Sequence, residues 1–177
     1  SSRWNVAEPA RTARPLVIGL GNDDRSDDGV GLDVARALQR RPWIAADVVE
    51  GPGDLTRLLD EFPRRSRMIL IDAVRSGAPP GTVHRWSREA AVGLPAGTSI
   101  STHGLDVPAL LRLAEGLGRT PSELTLFGIE AEDMTPGRNR SEPVRAAVRV
   151  VCDRIEAEIG GAHRPPRRAP GGQKSHA

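Results

Sequence analysis

Short apolar runs alternate along this chain with longer amphipathic ones, and that alternation restricts the fold more than any other feature. Pro15–Gly21 reads as a strand buried on both faces, followed by a helix over Gly29–Arg40 with Val30, Val34, Ala37 and Leu38 at helical spacing. Ala46–Glu50 reads as a second strand. Asp54 is placed to cap a helix whose inner face is Leu55, Leu58, Leu59 and Phe62 and whose end is Pro63. Arg67–Val74, "RMILIDAV", is another buried run. Thr82–Trp86 follows the turn "SGAPPG" too closely for a right-handed crossover, so it is expected to be an antiparallel neighbour. A loop through "STHGLDVP" leads to a helix with Leu110, Leu111, Ala114 and Leu117 inward, stopped at Gly118; Glu123–Glu130 is the last strand and a helix over Ser141–Ile159 closes the pattern. The expectation is a single three-layer α/β/α domain: a mostly parallel, doubly wound sheet of about five strands with helices on both faces. Such sheets bind ligands beyond the carboxyl ends of their strands.

The domain is expected to span residues 15–160, between a flexible leader, 1–14, with Trp4 as its one side chain suited to docking, and a basic Pro/Gly-rich disordered tail, 161–177. The formal charge of +2 is unevenly placed: Arg164, Arg167, Arg168 and Lys174 lie in the tail without an acid, and the leader is also basic. The part between is mildly acidic, which argues against a nucleic-acid partner. A single cysteine, Cys152, excludes an intramolecular disulfide and a multi-cysteine zinc site. With Val144, Val148, Ile155 and Ile159 it forms one helical face, so it is expected to be a buried small hydrophobe. No run approaches the ~18 apolar residues of a membrane span, and the beginning of the chain lacks the apolar core of a secretion signal. A cytoplasmic protein without membrane contact is expected.

Four aspartates, Asp23, Asp24, Asp27 and Asp28, crowd the loop after the first strand. A dinucleotide fingerprint would need a third glycine where Asp24 stands, and the acids would repel a pyrophosphate; no Gly-Lys-Ser/Thr follows for a P-loop. A cation accounts for the loop better. Asp28 and Asp72 fall on one rim of the sheet, and His103, on a loop, could complete a set suited to nickel, zinc, iron or manganese. Each residue also has an ordinary role open to it. Asp27 could cap a helix or support the ligands, Asp28 could answer the helix dipole, and Asp72 could make structural hydrogen bonds. Asp23 and Asp24 are expected to be solvated, His84 to be a surface or packing residue, and His163 and His176 belong to the tail. Ser101 and His103 are too close in sequence to meet as nucleophile and base; Gly-x-Ser-x-Gly and His-Glu-x-x-His are absent.

The blocks "GLGNDDRSDDGVG", "LIDAV", "STHGLD" and "LTLFGIEAEDMTPG", in that order, resemble the hydrogenase maturation proteases. The resemblance runs from about Leu16 to the last helix. It implies an endopeptidase that removes the C-terminal extension of a nickel–iron hydrogenase large-subunit precursor after nickel insertion. It also implies that nickel is supplied by the substrate, with cadmium or zinc able to substitute in a crystal, and that Asp28, Asp72 and His103 are the metal-binding and catalytic positions. Some members of the family carry glutamate where Asp28 stands. The alternatives are a non-catalytic nickel-reading chaperone of the large subunit and another metal-dependent hydrolase of the same fold.

Overall fold

The computed structural model describes residues 13–95, 97–98 and 105–160; the expectations for 1–12 and 161–177 lie outside them. Arg14, the last residue of the expected leader, reaches Asp47 at 2.9 Å and the carbonyl of Ala46 at 3.1 Å. Five strands form one sheet, β1 (Leu16–Gly19), β2 (Asp47–Glu50), β3 (Arg67–Val74), β4 (Val83–Ser87) and β5 (Glu123–Glu130), in the order β2-β1-β3-β5-β4. All neighbours are parallel except β4, which runs antiparallel to β5. The expected doubly wound α/β sheet is thus observed, with its one antiparallel edge.

Helices α1 (Val30–Gln39), α2 (Leu58–Glu61), α3 (Arg88–Val92), α4 (Val107–Gly116) and α5 (Glu142–Ile159) cover the sheet. Period-2 alternation along each strand sends side chains to two separate cores. Val17, Ile69, Ile71, Phe127 and Ile129 pack with α1 and α5, and Cys152 is fully buried among them. Burial pushes its thiol up to about 11. Leu16, Ile18, Met68, Leu70 and Leu126 pack on the other face with Leu58, Phe62 and α4. Because β3 and β5 are buried on both faces, apolar residues dominate both, with Asp72 in β3 and Thr125 and Glu130 in β5 as buried polar exceptions.

Three local expectations need correction. The helix capped by Asp54 is a contiguous run of a 3-10 turn, the single turn α2 and a second 3-10 turn at Phe62–Arg64 rather than one α-helix; Pro63 has no amide to donate back to the preceding turn, and Asp54 accepts from the Thr56 amide at 2.9 Å as expected. Leu117 is 55% exposed, because α4 ends one residue earlier and the chain turns away at Gly118, φ +65°. The short helix α3, capped by Ser87, was not foreseen.

Candidate functional site

The strand-to-helix turn after β1 is built by close backbone approach. A side chain on Gly31 would press on the Ile71 carbonyl, and one on Gly21, at φ +129°, would overlap the carbonyl of Asp28. With these glycines the chain from Leu20 folds back directly over the sheet, and the Leu20 amide bonds to Ile71 at 2.7 Å. The aspartates therefore enter a tight 3-10 turn, Ser26–Gly29, that packs against β3 and is buried throughout. Ser26 takes φ +43°, a strained value for a residue with a side chain.

Asp27 is fully buried and does not cap a helix. Its Oδ2 accepts from the amides of Glu132 and Asp133, both at 2.9 Å, and from the Ser141 hydroxyl at 2.9 Å; its Oδ1 accepts from the Ser141 amide at 2.7 Å. The capping role is thus corrected: Asp27 clamps the segment between β5 and α5 onto the turn that carries Asp28.

Asp28 is 1% exposed, and its Oδ1 has no hydrogen-bond partner among the described residues. Burial pushes its pKa up to about 6, against the opposing pull of the Arg25 and Arg140 guanidiniums. A buried carboxylate oxygen without a donor is costly, and a cation ligand is one arrangement that would offset that cost. Asp72 is 2% exposed near the carboxyl end of β3, on the same sheet face as Met68 and Leu70, and its Oδ1 accepts from the Ala73 amide at 2.9 Å. Both carboxylates thus stand at the carboxyl rim of the central strands. His103 lies outside the described residues. Among the described residues no three His, Cys, Asp or Glu side chains gather as a metal site. The flanks of the segment bearing His103 are held together by Asp106, which accepts from the amides of Ala109 and Gly97, both at 2.8 Å. A donor set of two carboxylates and an imidazole suits nickel, zinc, iron or manganese.

Asp23 is not simply solvated. It pairs with Arg36 at 2.6 Å and Arg140 at 2.7 Å, and the Arg36 hydrogen bond, outweighing partial burial, holds its carboxyl below the usual range. Asp24 is largely exposed and meets Arg138 at 2.8 Å. Arg140 was not anticipated from the sequence. It is 8% exposed and joins Asp23, Asp33 (2.8 Å) and the Ser26 carbonyl (2.6 Å), lying so close to Gly29 that a side chain there would overlap its guanidinium. An arginine in a polar loop carries no periodic signal by which to find it.

His84 is the packing residue expected, stacked on Trp86 with ring centroids 4.9 Å apart. Its Nε2 lies 3.1 Å from the buried Glu130, which also accepts from the amides of Ser76 (2.8 Å) and Gly77 (2.9 Å) and so ties the loop after β3 to the end of β5. Among the described residues no helix is long and apolar enough to cross a membrane.

A family model described as hydrogenase maturation protease matches residues 32–158. The hydrogenase 2 maturation protease of Escherichia coli is 30% identical over 162 residues, which cover 88% of this chain and 98% of that protein. The HupD hydrogenase expression/formation protein of Thiocapsa roseopersicina is 30% identical over 122 residues, 67% of this chain but 55% of that protein's length. Among solved structures, the hydrogenase maturating endopeptidase HybD of Escherichia coli superposes with a TM-score of 0.72 at 27% identity, covering 84% of this chain and 93% of that one. The nickel–iron hydrogenase maturation protease HybD of Thermococcus kodakarensis gives 0.64 at 29% identity, covering 82% and 99%.

Proposed function

This chain belongs to the hydrogenase maturation protease family, and from that premise we propose that it is an endopeptidase that trims the C-terminal extension from a nickel–iron hydrogenase large-subunit precursor once nickel is in place. The observation that carries the reading is Asp28: a carboxyl group 1% exposed, with one oxygen that has no donor among the described residues, at the rim that Asp72 shares. Held as a buried anion, with the Arg25 and Arg140 guanidiniums only partly offsetting its desolvation, it costs free energy. A precursor that brings a cation to this rim relieves that cost, and an empty precursor does not. Discrimination between the two then follows from the burial of the carboxylate rather than from tight metal binding by the protease itself.

In this reading Asp28, Asp72 and His103 engage the nickel that the precursor carries and fix the scissile peptide beside it. The ion, when present with its substrate, supplies positive charge next to the polarised carbonyl. Asp27 and Arg140 hold the turn so that Asp28 meets the substrate in one geometry.

The test is incubation of the purified protein with nickel-loaded and nickel-free precursor, followed by intact-mass analysis. Loss of the C-terminal extension from the loaded form alone supports the reading. Equal cleavage of both forms would remove nickel from it, and binding without any mass loss would leave a chaperone in its place.

A further inference from the structure

β2 is an edge strand, and on the sheet face that bears Leu16 and Ile18 it is left partly uncovered, with Val49 41% exposed. A groove of about 490 Å³ lies between it and the segment that includes α2, with Leu16, Ile18, Val49 and Leu58 among its lining residues. Its flank is charged. Arg65 is engaged by Asp47 at 2.6 Å and Glu61 at 3.7 Å, and Asp60 by Arg119 at 3.2 Å. Arg57 and Arg64, both exposed on the same flank, form no ion pair among the described residues. The charge left over along the groove is therefore positive.

The groove is continuous with the rim of the sheet. Pro52 lines it, and the preceding Gly51 donates to the Gly19 carbonyl at 2.8 Å, immediately before the turn that leads to Asp28. The length of β2 corresponds to roughly 13 Å of extended chain, enough for about four residues of a peptide laid alongside it.

We propose that this groove seats an extended, carboxylate-bearing segment of the protein substrate adjoining the scissile bond, with Arg57 and Arg64 pairing to its carboxylates and the apolar lining receiving its side chains. The proposal rests on the endopeptidase reading and extends it to the part of the substrate that lies away from the chemistry. The chain's own segment 161–177 is a poor occupant, since it carries four basic residues and no acid.

The experiment compares the wild type with the R57E/R64E double variant on nickel-loaded precursor, with R57Q/R64Q as a milder companion and thermal melts to verify that the folds are equal. KM rises about tenfold in the reversed variant at nearly unchanged kcat, the pattern of lost uniform binding for two exposed ion pairs, and added salt raises KM more for the wild type than for either variant. Unchanged KM and salt dependence would overturn the proposal. So would a wild-type dimer that R57E/R64E dissociates while KM stays constant, since the groove would then hold a second copy of the chain. Binding of the fluorescein-labelled C-terminal extension, read by anisotropy, needs no turnover and separates the two ideas. Weaker binding by R57E/R64E without cleavage by any form would sink only the peptidase reading, whereas equal binding by both proteins would sink the groove.

Discussion

Ser141 lies 114 residues after Asp27 in the chain, yet both its amide, at 2.7 Å, and its hydroxyl, at 2.9 Å, donate to the Asp27 carboxylate. With the amides of Glu132 and Asp133 this makes four donors on one buried acid. Asp27→Ala leaves those donors without an acceptor and is expected to cost about 3–5 kcal/mol. Ser141→Ala removes only the hydroxyl bond and should cost about 1 kcal/mol. Urea unfolding of the two variants checks the ordering.

Asp28 predicts the opposite sign. Its folded value of about 6 stands above the ordinary 3.8, so between these limits the folded protein keeps a proton that the unfolded chain releases. Wild-type stability therefore falls as pH rises through that window and levels off above it. Asp28→Asn lacks this dependence. In the presence of a chelator, the stability of Asp28→Asn relative to wild type should increase from pH 4 to pH 7 by up to about 3 kcal/mol, while processing of the precursor is lost. A stability difference that stays constant with pH would contradict the account of this carboxyl group.

Arg140 holds Asp23, Asp33 and the Ser26 carbonyl with one planar fork. Lysine cannot reproduce that fork. Arg140→Lys is expected to lose about 1–2 kcal/mol and Arg140→Met about 2–4 kcal/mol, because Asp23 and Asp33 are then left with Arg36 alone and the Ser26 carbonyl loses its donor. Both variants should reduce processing through a looser Asp28 turn, which amide hydrogen exchange at Ser26–Gly29 would reveal as faster.

At Gly21 the backbone has φ +129° and the Asp28 carbonyl occupies the place of a side chain. Gly21→Ala is expected to cost more than about 3 kcal/mol, against a few tenths for Gly53→Ala, where no atom lies within 4 Å. Thermal melts of the pair provide the comparison.

Cys152 should behave as a hydrophobe. Its thiol, fully buried and pushed up to about 11, is expected not to react with Ellman's reagent at pH 8 until the protein is unfolded. Reaction of the native protein at the rate of a free thiol would place Cys152 at the surface.

The sequence and the folded molecule contributed different parts of this picture. Apolar runs at β1, β3 and β5 identified buried strands because a strand covered on both faces needs hydrophobic side chains at most positions, and the brief link to β4 identified its direction because a parallel crossover needs more chain. The four motif blocks pointed to the family that the comparisons then showed. Two adjacent aspartates, however, look alike in one dimension. What separates Asp27 from Asp28 is which oxygens meet donors from residues 132–141, and only folding brings those donors there. The same holds for Arg140, which shares no periodicity with the acids it joins, and for the edge groove, whose walls, β2 and the segment at 55–64, meet only in the folded chain. Periodic burial is written locally along the chain, so it determined the layers. Hydrogen bonding between distant loops has no local pattern, so the tertiary structure alone decided which charges are paired and which carboxylate oxygen has no hydrogen-bond donor among the described residues.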